Sequence, residues 1–145
     1  MKEKIKILIC THSAQTSTGL GSTVRNIFKP LLAKYPDKYE IHQLSYFHVD
    51  FQQFDIPWPI YPTKITHHPD GRVELDMNDK YGEISFHEIV DKLKPDIVFG
   101  YGDMWHFNHM LESPLRNSYR FLSYYTIDGQ PYFGNLSQDG STEWG

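Results

Sequence analysis

The run Ile5-Lys6-Ile7-Leu8-Ile9-Cys10-Thr11-His12-Ser13-Ala14-Gln15-Thr16-Ser17-Thr18-Gly19-Leu20-Gly21-Ser22-Thr23-Val24-Arg25 puts an apolar strand in front of a glycine-bearing loop. The loop in turn opens an amphipathic helix. Val24, Ile27, Phe28, Leu31 and Leu32 recur at the spacing of one helical face, with Ser22 available as N-cap and Pro30 expected to kink or weaken the last turns. Glycines at this place let the backbone come close to a ligand, and the helix N-terminus adds partial positive charge. The arrangement favours an anion such as a phosphate or a sugar-phosphate. It also has a purely structural reading, a glycine turn that only redirects the chain.

Two familiar nucleotide loops do not fit. A dinucleotide fingerprint would start directly after the strand and put a third glycine where Val24 stands, whereas eight residues, Thr11 to Thr18, intervene. A phosphate-binding loop of the Gly-Lys-Ser/Thr type needs a lysine, and Gly21 is followed by Ser22 and Thr23.

Working outward, Tyr39 to Leu44 reads as a second strand after the turn Tyr35-Pro36-Asp37-Lys38, which completes a strand–helix–strand opening. The next stretch carries Pro57, Pro59 and Pro62 and reads as an irregular excursion. Within it, Pro69-Asp70-Gly71 separates Ile65–His68 from Arg72–Asp76 with the chemistry of a small hairpin. Ser85 and Glu88 have capping-box spacing ahead of the stripe Phe86, Ile89, Val90 and Leu93, and Pro95 stops that helix. Ile97-Val98-Phe99 and Phe121–Tyr125 read as further strands, with a helical segment around Phe107 to Leu111 between them. The alternation predicts an α/β protein with a doubly wound, mainly parallel sheet and a small hairpin excursion.

At 145 residues, 39% of them hydrophobic, the chain has the size of one domain with its own core. The formal charge of −4 comes from interspersed signs, which argues against a nucleic-acid surface. The single cysteine, Cys10, cannot form an internal disulfide, and no apolar run has the length of a signal segment or a membrane span. A reducing, cytoplasmic setting is the expectation. Cys10 ends an apolar strand and is read as a buried, inert thiol.

In a sheet of this kind, ligands bind outside the carboxyl ends of the strands. Three loops are expected to meet there: Thr11 to Gly21, Gly100 to Trp105, and Thr126 to Pro131. The second carries Asp103 and the third Asp128-Gly129, so two carboxylates border the same crevice as Gly19 and Gly21. Each aspartate is also an ordinary turn residue. His12 stands at the end of the first strand, and Arg25 lies one turn into the helix, where it could reach an anion. Both also read as solvated side chains. His106 and His109 stand three apart without a third ligand, and His67-His68 would point to opposite faces of a strand, so no structural zinc is expected. Phe51, Phe54, Trp58 and Tyr61 could stack on sugar rings but read better as a cover for the sheet edge.

The order of Thr18-Gly19-Leu20-Gly21 and Arg25, then Lys94-Pro95-Asp96-Ile97-Val98-Phe99 with Gly102-Asp103, then Tyr124-Tyr125-Thr126-Ile127-Asp128-Gly129-Gln130-Pro131, resembles the N-terminal domain of family 4 glycosyltransferases of the GT-B fold. The resemblance spans Lys6 to about Pro131. It implies a Rossmann-like, acceptor-side domain over residues 1–131, with residues 132–145 a polar tail or the start of an interdomain segment. It implies one half of a retaining enzyme that transfers a sugar from a nucleotide-sugar co-substrate to an acceptor, with no other cofactor and no metal in this domain. Gly19, Leu20, Gly21, Arg25, His12 and Gly129 would then border the substrate or the donor phosphates. Asp103 and Asp128 are the candidate catalytic residues. Many members carry a histidine near the place of Asp128, which leaves its role open between sugar contact and turn. The second domain, which carries most of the nucleotide-sugar pocket, would follow Gly145, so this chain alone is expected to be inactive, whether an excised domain, a truncated product or a split half. The alternative is a stand-alone Rossmann-like module that binds a small anionic or sugar ligand without catalysis.

Overall fold

The computed structural model describes residues 3–46 and 54–126. Five strands form one sheet: β1 (Ile5–His12), β2 (Tyr39–Tyr46), β3 (Ile60–Pro62), β6 (Ile97–Gly102) and β7 (Arg120–Tyr125), in the order β3-β2-β1-β6-β7. Every neighbouring pair in it is parallel. A separate antiparallel hairpin pairs β4 (Ile65–His67) with β5 (Val73–Leu75) around Gly71, whose φ of +86° suits a residue without a side chain. The expected hairpin and α/β class are both present. The three-residue β3 adds a strand to the part of the excursion that the sequence reads as irregular. Asp128, Gly129, Phe51 and the boundary at residue 131 lie outside the described residues.

Helices cover both faces of the sheet, as a doubly wound, Rossmann-like arrangement requires. Helix α1 (Gly19–Lys34) presents Val24 and Phe28 to Ile7, Ile9 and Ile41 on one face, where Trp58 and Tyr101 complete the cluster. Helix α2 (Ser85–Leu93) presents Phe86 and Val90 to Leu8, Cys10, Leu44 and Val98 on the other. A 3₁₀ turn at Met104–Phe107 runs into the single-turn α3 (Asn108–Leu111), and Phe107 and Met110 join the second cluster. β1 is therefore buried from both sides, which explains its apolar run Ile7-Leu8-Ile9-Cys10.

Two helix starts differ from the sequence reading. α1 begins at Gly19, and the cap is Thr18, whose Oγ1 accepts the Gly21 N–H at 3.0 Å, so Ser22 already lies inside the first turn. α2 has no side-chain cap at Ile84, and Ser85 turns its hydroxyl to Asp79 instead of closing a box with Glu88. Asp79 supplies the cap from a distance: Oδ1 accepts the N–H groups of Ile84 and Ser85, each at 2.8 Å. α1 continues through Pro30 to Lys34, and α2 ends at Leu93, capped by Lys94, which adopts φ +51° just before Pro95.

Candidate functional site

The chain leaves β1 toward one edge of the sheet and returns to the opposite side through β6, so the order of strands reverses between these two neighbours. Their carboxyl ends form the switch point at which open α/β sheets hold ligands. The two ends are tied together by Thr11 Oγ1, which donates to the Tyr101 carbonyl at 2.7 Å. β7 joins them through Thr126, whose N–H reaches the Gly102 carbonyl at 3.1 Å and whose hydroxyl donates to Asp103 Oδ1 at 2.8 Å. Three strand ends thus converge, and of the third expected loop only Thr126 lies within the described residues.

The loop of residues 13–18 bridges β1 and α1. Gly21 sits against it: a Cβ there would come within 2.5 Å of the Ser13 carbonyl and 2.8 Å of the Thr16 carbonyl. The requirement for glycine at 21 is therefore met inside the protein, by close approach of helix and loop. Gly19 differs, because a Cβ there would meet nothing within 4 Å. The open side of the helix start is at Gly19, and Leu20 packs half-buried against the α1-side core and anchors it. Arg25 also works on the loop. Its Nη1 donates to the carbonyls of Ala14 at 2.8 Å and Thr16 at 2.5 Å, and its guanidinium lies 3.6 Å over the Phe54 ring.

On the α2 side of the same edge, His12, Tyr46, Tyr81 and His106 form a nest of rings. His106 stacks on Tyr81 at 3.9 Å with 20° between the planes, and Tyr46 meets Tyr81 at 5.8 Å and His12 at 6.5 Å, both edge-on. Burial lowers the proton affinity of His12, the nearby His106 lowers it further, and Asp103 partly restores it. His106 is lowered in the same way by burial, opposed first by Asp103. Burial raises the Tyr46 phenol well above its usual range. Both imidazoles are held toward the neutral form, which can donate at one nitrogen and accept at the other. Two polar atoms in the nest, Tyr46 Oη and His106 Nδ1, are buried without a hydrogen-bond partner among the described residues.

Of the sequence-derived residues, the described structure brings His12 and Asp103 to one edge and sets the α1 start with Gly19 at the neighbouring loop. His106 and His109 diverge, since His106 faces Tyr81 while His109 packs edge-on against Phe86 and beside His87. Among the described residues no three His, Cys, Asp or Glu side chains are grouped to hold a metal ion. Trp58 and Tyr61 belong to the sheet cover: Trp58 donates to Gln43 Oε1 at 3.1 Å, and Tyr61 stacks on His42. Tyr46, Tyr81 and Trp105 escaped the sequence reading. The signal for Trp105 was present, an indole two residues beyond the aspartate at a strand end.

Two hollows among the described residues lie elsewhere. One of about 500 Å³ is lined by Ile5, Tyr35 and Pro36, and another of about 520 Å³ by Ile5, Asp96, Ile97 and Arg120. Both open at the amino ends of the strands, away from the converging loops, where the fold does not focus strand-end loops on a ligand. Among the described residues no helix is long and apolar enough to cross a membrane. No protein-family model matches the chain, and no curated protein matches it.

Proposed function

We propose that the chain is the acceptor-side half of a retaining glycosyltransferase, using a nucleotide-sugar as donor and depending on a second domain for most of the donor pocket. The observation that carries the reading is the convergence of the α1 start, His12, Asp103 and Thr126 at the switch point between β1 and β6. The amides at Gly19 and Leu20 would face donor phosphate oxygens, helped by the positive end of a 16-residue helix. Asp103 and His12 would orient acceptor hydroxyls, with Asp128 and Gly129 assigned to the same edge by the resemblance alone. Rate enhancement would come from positioning and from electrostatic stabilisation of the departing diphosphate.

The test is calorimetry and product analysis on the natural full-length protein with UDP-, GDP- and ADP-linked sugars and a panel of acceptors. Sugar transfer with retained anomeric configuration supports the reading. Anion binding without turnover selects the stand-alone binding module instead, and the absence of any nucleotide-sugar binding overturns the transferase.

A further inference from the structure

Trp105 stands 64% exposed, and its neighbour Met104 45%. An indole usually covers a hydrophobic surface, so one displayed this far is a recognition feature when its surroundings also carry matched polar groups. The turn that displays it is fixed from within. Phe107 is fully buried against Gly100, where a Cβ would come within 2.7 Å of the ring, and His106 is clamped on Tyr81. The indole meets the His106 imidazole edge-on at 5.8 Å.

Asp103 begins the same turn. Its Oδ1 is occupied by the Thr126 hydroxyl, while Oδ2 lies 3.7 Å from His106 Nε2, too far for a hydrogen bond. Because Nδ1 of His106 is enclosed without a hydrogen-bond partner among the described residues, the nearby carboxylate favours the imidazole proton on Nε2. The pair therefore offers one acceptor and one donor side by side, separated by more than a direct bond, next to an exposed aromatic plane.

We propose that Asp103, Trp105 and His106 form a carbohydrate subsite that takes a vicinal diol of a pyranose ring. One hydroxyl donates to Asp103 Oδ2, its neighbour accepts from His106 Nε2–H, and the apolar C–H face of the ring lies on the indole. This names the acceptor as a sugar and rests, for its biological use, on the transferase reading above. A lipid tail would use the indole and leave the polar pair unmatched, and an inorganic anion would meet the Asp103 carboxylate with like charge.

The experiment screens the natural full-length protein on a printed array of mono- and oligosaccharides, then measures the best glycan by calorimetry against Trp105→Ala, Trp105→Phe and Asp103→Asn. Binding of a pyranose glycan is expected, weakened about tenfold or more in Trp105→Ala, mostly retained in Trp105→Phe, and weakened in Asp103→Asn. An O-methylated analogue that blocks the diol should lose affinity to a similar degree. Trp105→Ala, an exposed change, should melt with the parent. The subsite is overturned if no glycan binds, or if Trp105→Ala and Asp103→Asn bind like the parent. UDP-glucose and GDP-mannose binding is measured in parallel. Nucleotide-sugar binding without glycan binding leaves the transferase and removes the subsite, whereas Trp105-dependent glycan binding without nucleotide-sugar binding does the reverse.

Discussion

Asp79 caps a helix that starts six residues after it: its Oδ1 accepts the Ser85 N–H at 2.8 Å, while its Oδ2 accepts the Ser85 hydroxyl. The same carboxylate takes the N–H of Ile84 at 2.8 Å and that of Lys64, beside the hairpin, at 2.7 Å. It is fully buried, and burial alone would raise its pKa, yet these hydrogen bonds outweigh burial and the pKa is lowered from 3.8. Asp79→Ala strands several buried donors at once and should cost about 2–4 kcal/mol in urea unfolding, with Asp79→Asn in between. A depressed carboxylate contributes stability that is present above pH 3.8 and lost as pH falls through its folded value. The acid limb of the stability curve below pH 3.8 should flatten in Asp79→Asn.

The two glycines of the first α1 turn should separate in their effects. Gly21→Ala drives a methyl onto the Ser13 and Thr16 carbonyls, so the loop must shift, at a cost of about 2 kcal/mol or more. Gly19→Ala fills open space, and its loss of backbone freedom in the unfolded chain should leave stability unchanged or up to about 1 kcal/mol higher. If the amides at this end hold a donor phosphate, the same methyl should weaken nucleotide-sugar binding without lowering the melting temperature. Calorimetric melting and ligand titration on both variants decide it.

How much of this arrangement the sequence carries depends on the range of the interactions concerned. β1 and β6 are legible because strands covered on both faces read as apolar runs, and the strand-end rule then singles out His12 and Asp103 from their positions alone. β3 is too short to show a pattern, and Pro62, which has no N–H, argues against a strand even though it ends one at the sheet edge. The cap of α2 is hidden for another reason. Ser85 and Glu88 have the right local spacing, but Asp79 takes the Ser85 N–H that Glu88 would have capped, together with that of Ile84, from a preceding turn and leaves the box unused. His106 likewise has a packing role that the sequence leaves without a partner, because Tyr81, on which it stacks, lies 25 residues earlier in the chain.

Stability should also fall between neutral and mildly acidic pH. Burial, reinforced by the nearby His87, lowers the His109 imidazole from 6.5 to about 4. A histidine held neutral in the fold contributes its full stability above pH 6.5, and this is lost as pH drops toward 4 and the unfolded chain takes up the proton first. His12 and His106 are shifted in the same direction by burial. Allowing for solvent screening around the half-buried ring, His109 alone should account for on the order of 1 kcal/mol between pH 7 and pH 5. Urea unfolding at the two pH values checks this, and His109→Gln should reduce the difference.

Arg25 provides the last test, because its role as a strut and its role as an anion contact predict different things. Its Nη1 is engaged by the Ala14 and Thr16 carbonyls, and its plane lies on Phe54, so it clamps the loop against the helix. Lysine can keep the charge but not the planar stack together with the fixed donor geometry. Under the strut role, Arg25→Lys and Arg25→Ala should both destabilise by about 1–2 kcal/mol and speed amide exchange in residues 14–18. Under a charge-only role in binding a phosphate, Arg25→Lys should preserve nucleotide-sugar affinity while Arg25→Ala loses it, and stability should hardly change. Measuring exchange and affinity on the same two variants separates the roles, and the observed carbonyl contacts favour the strut.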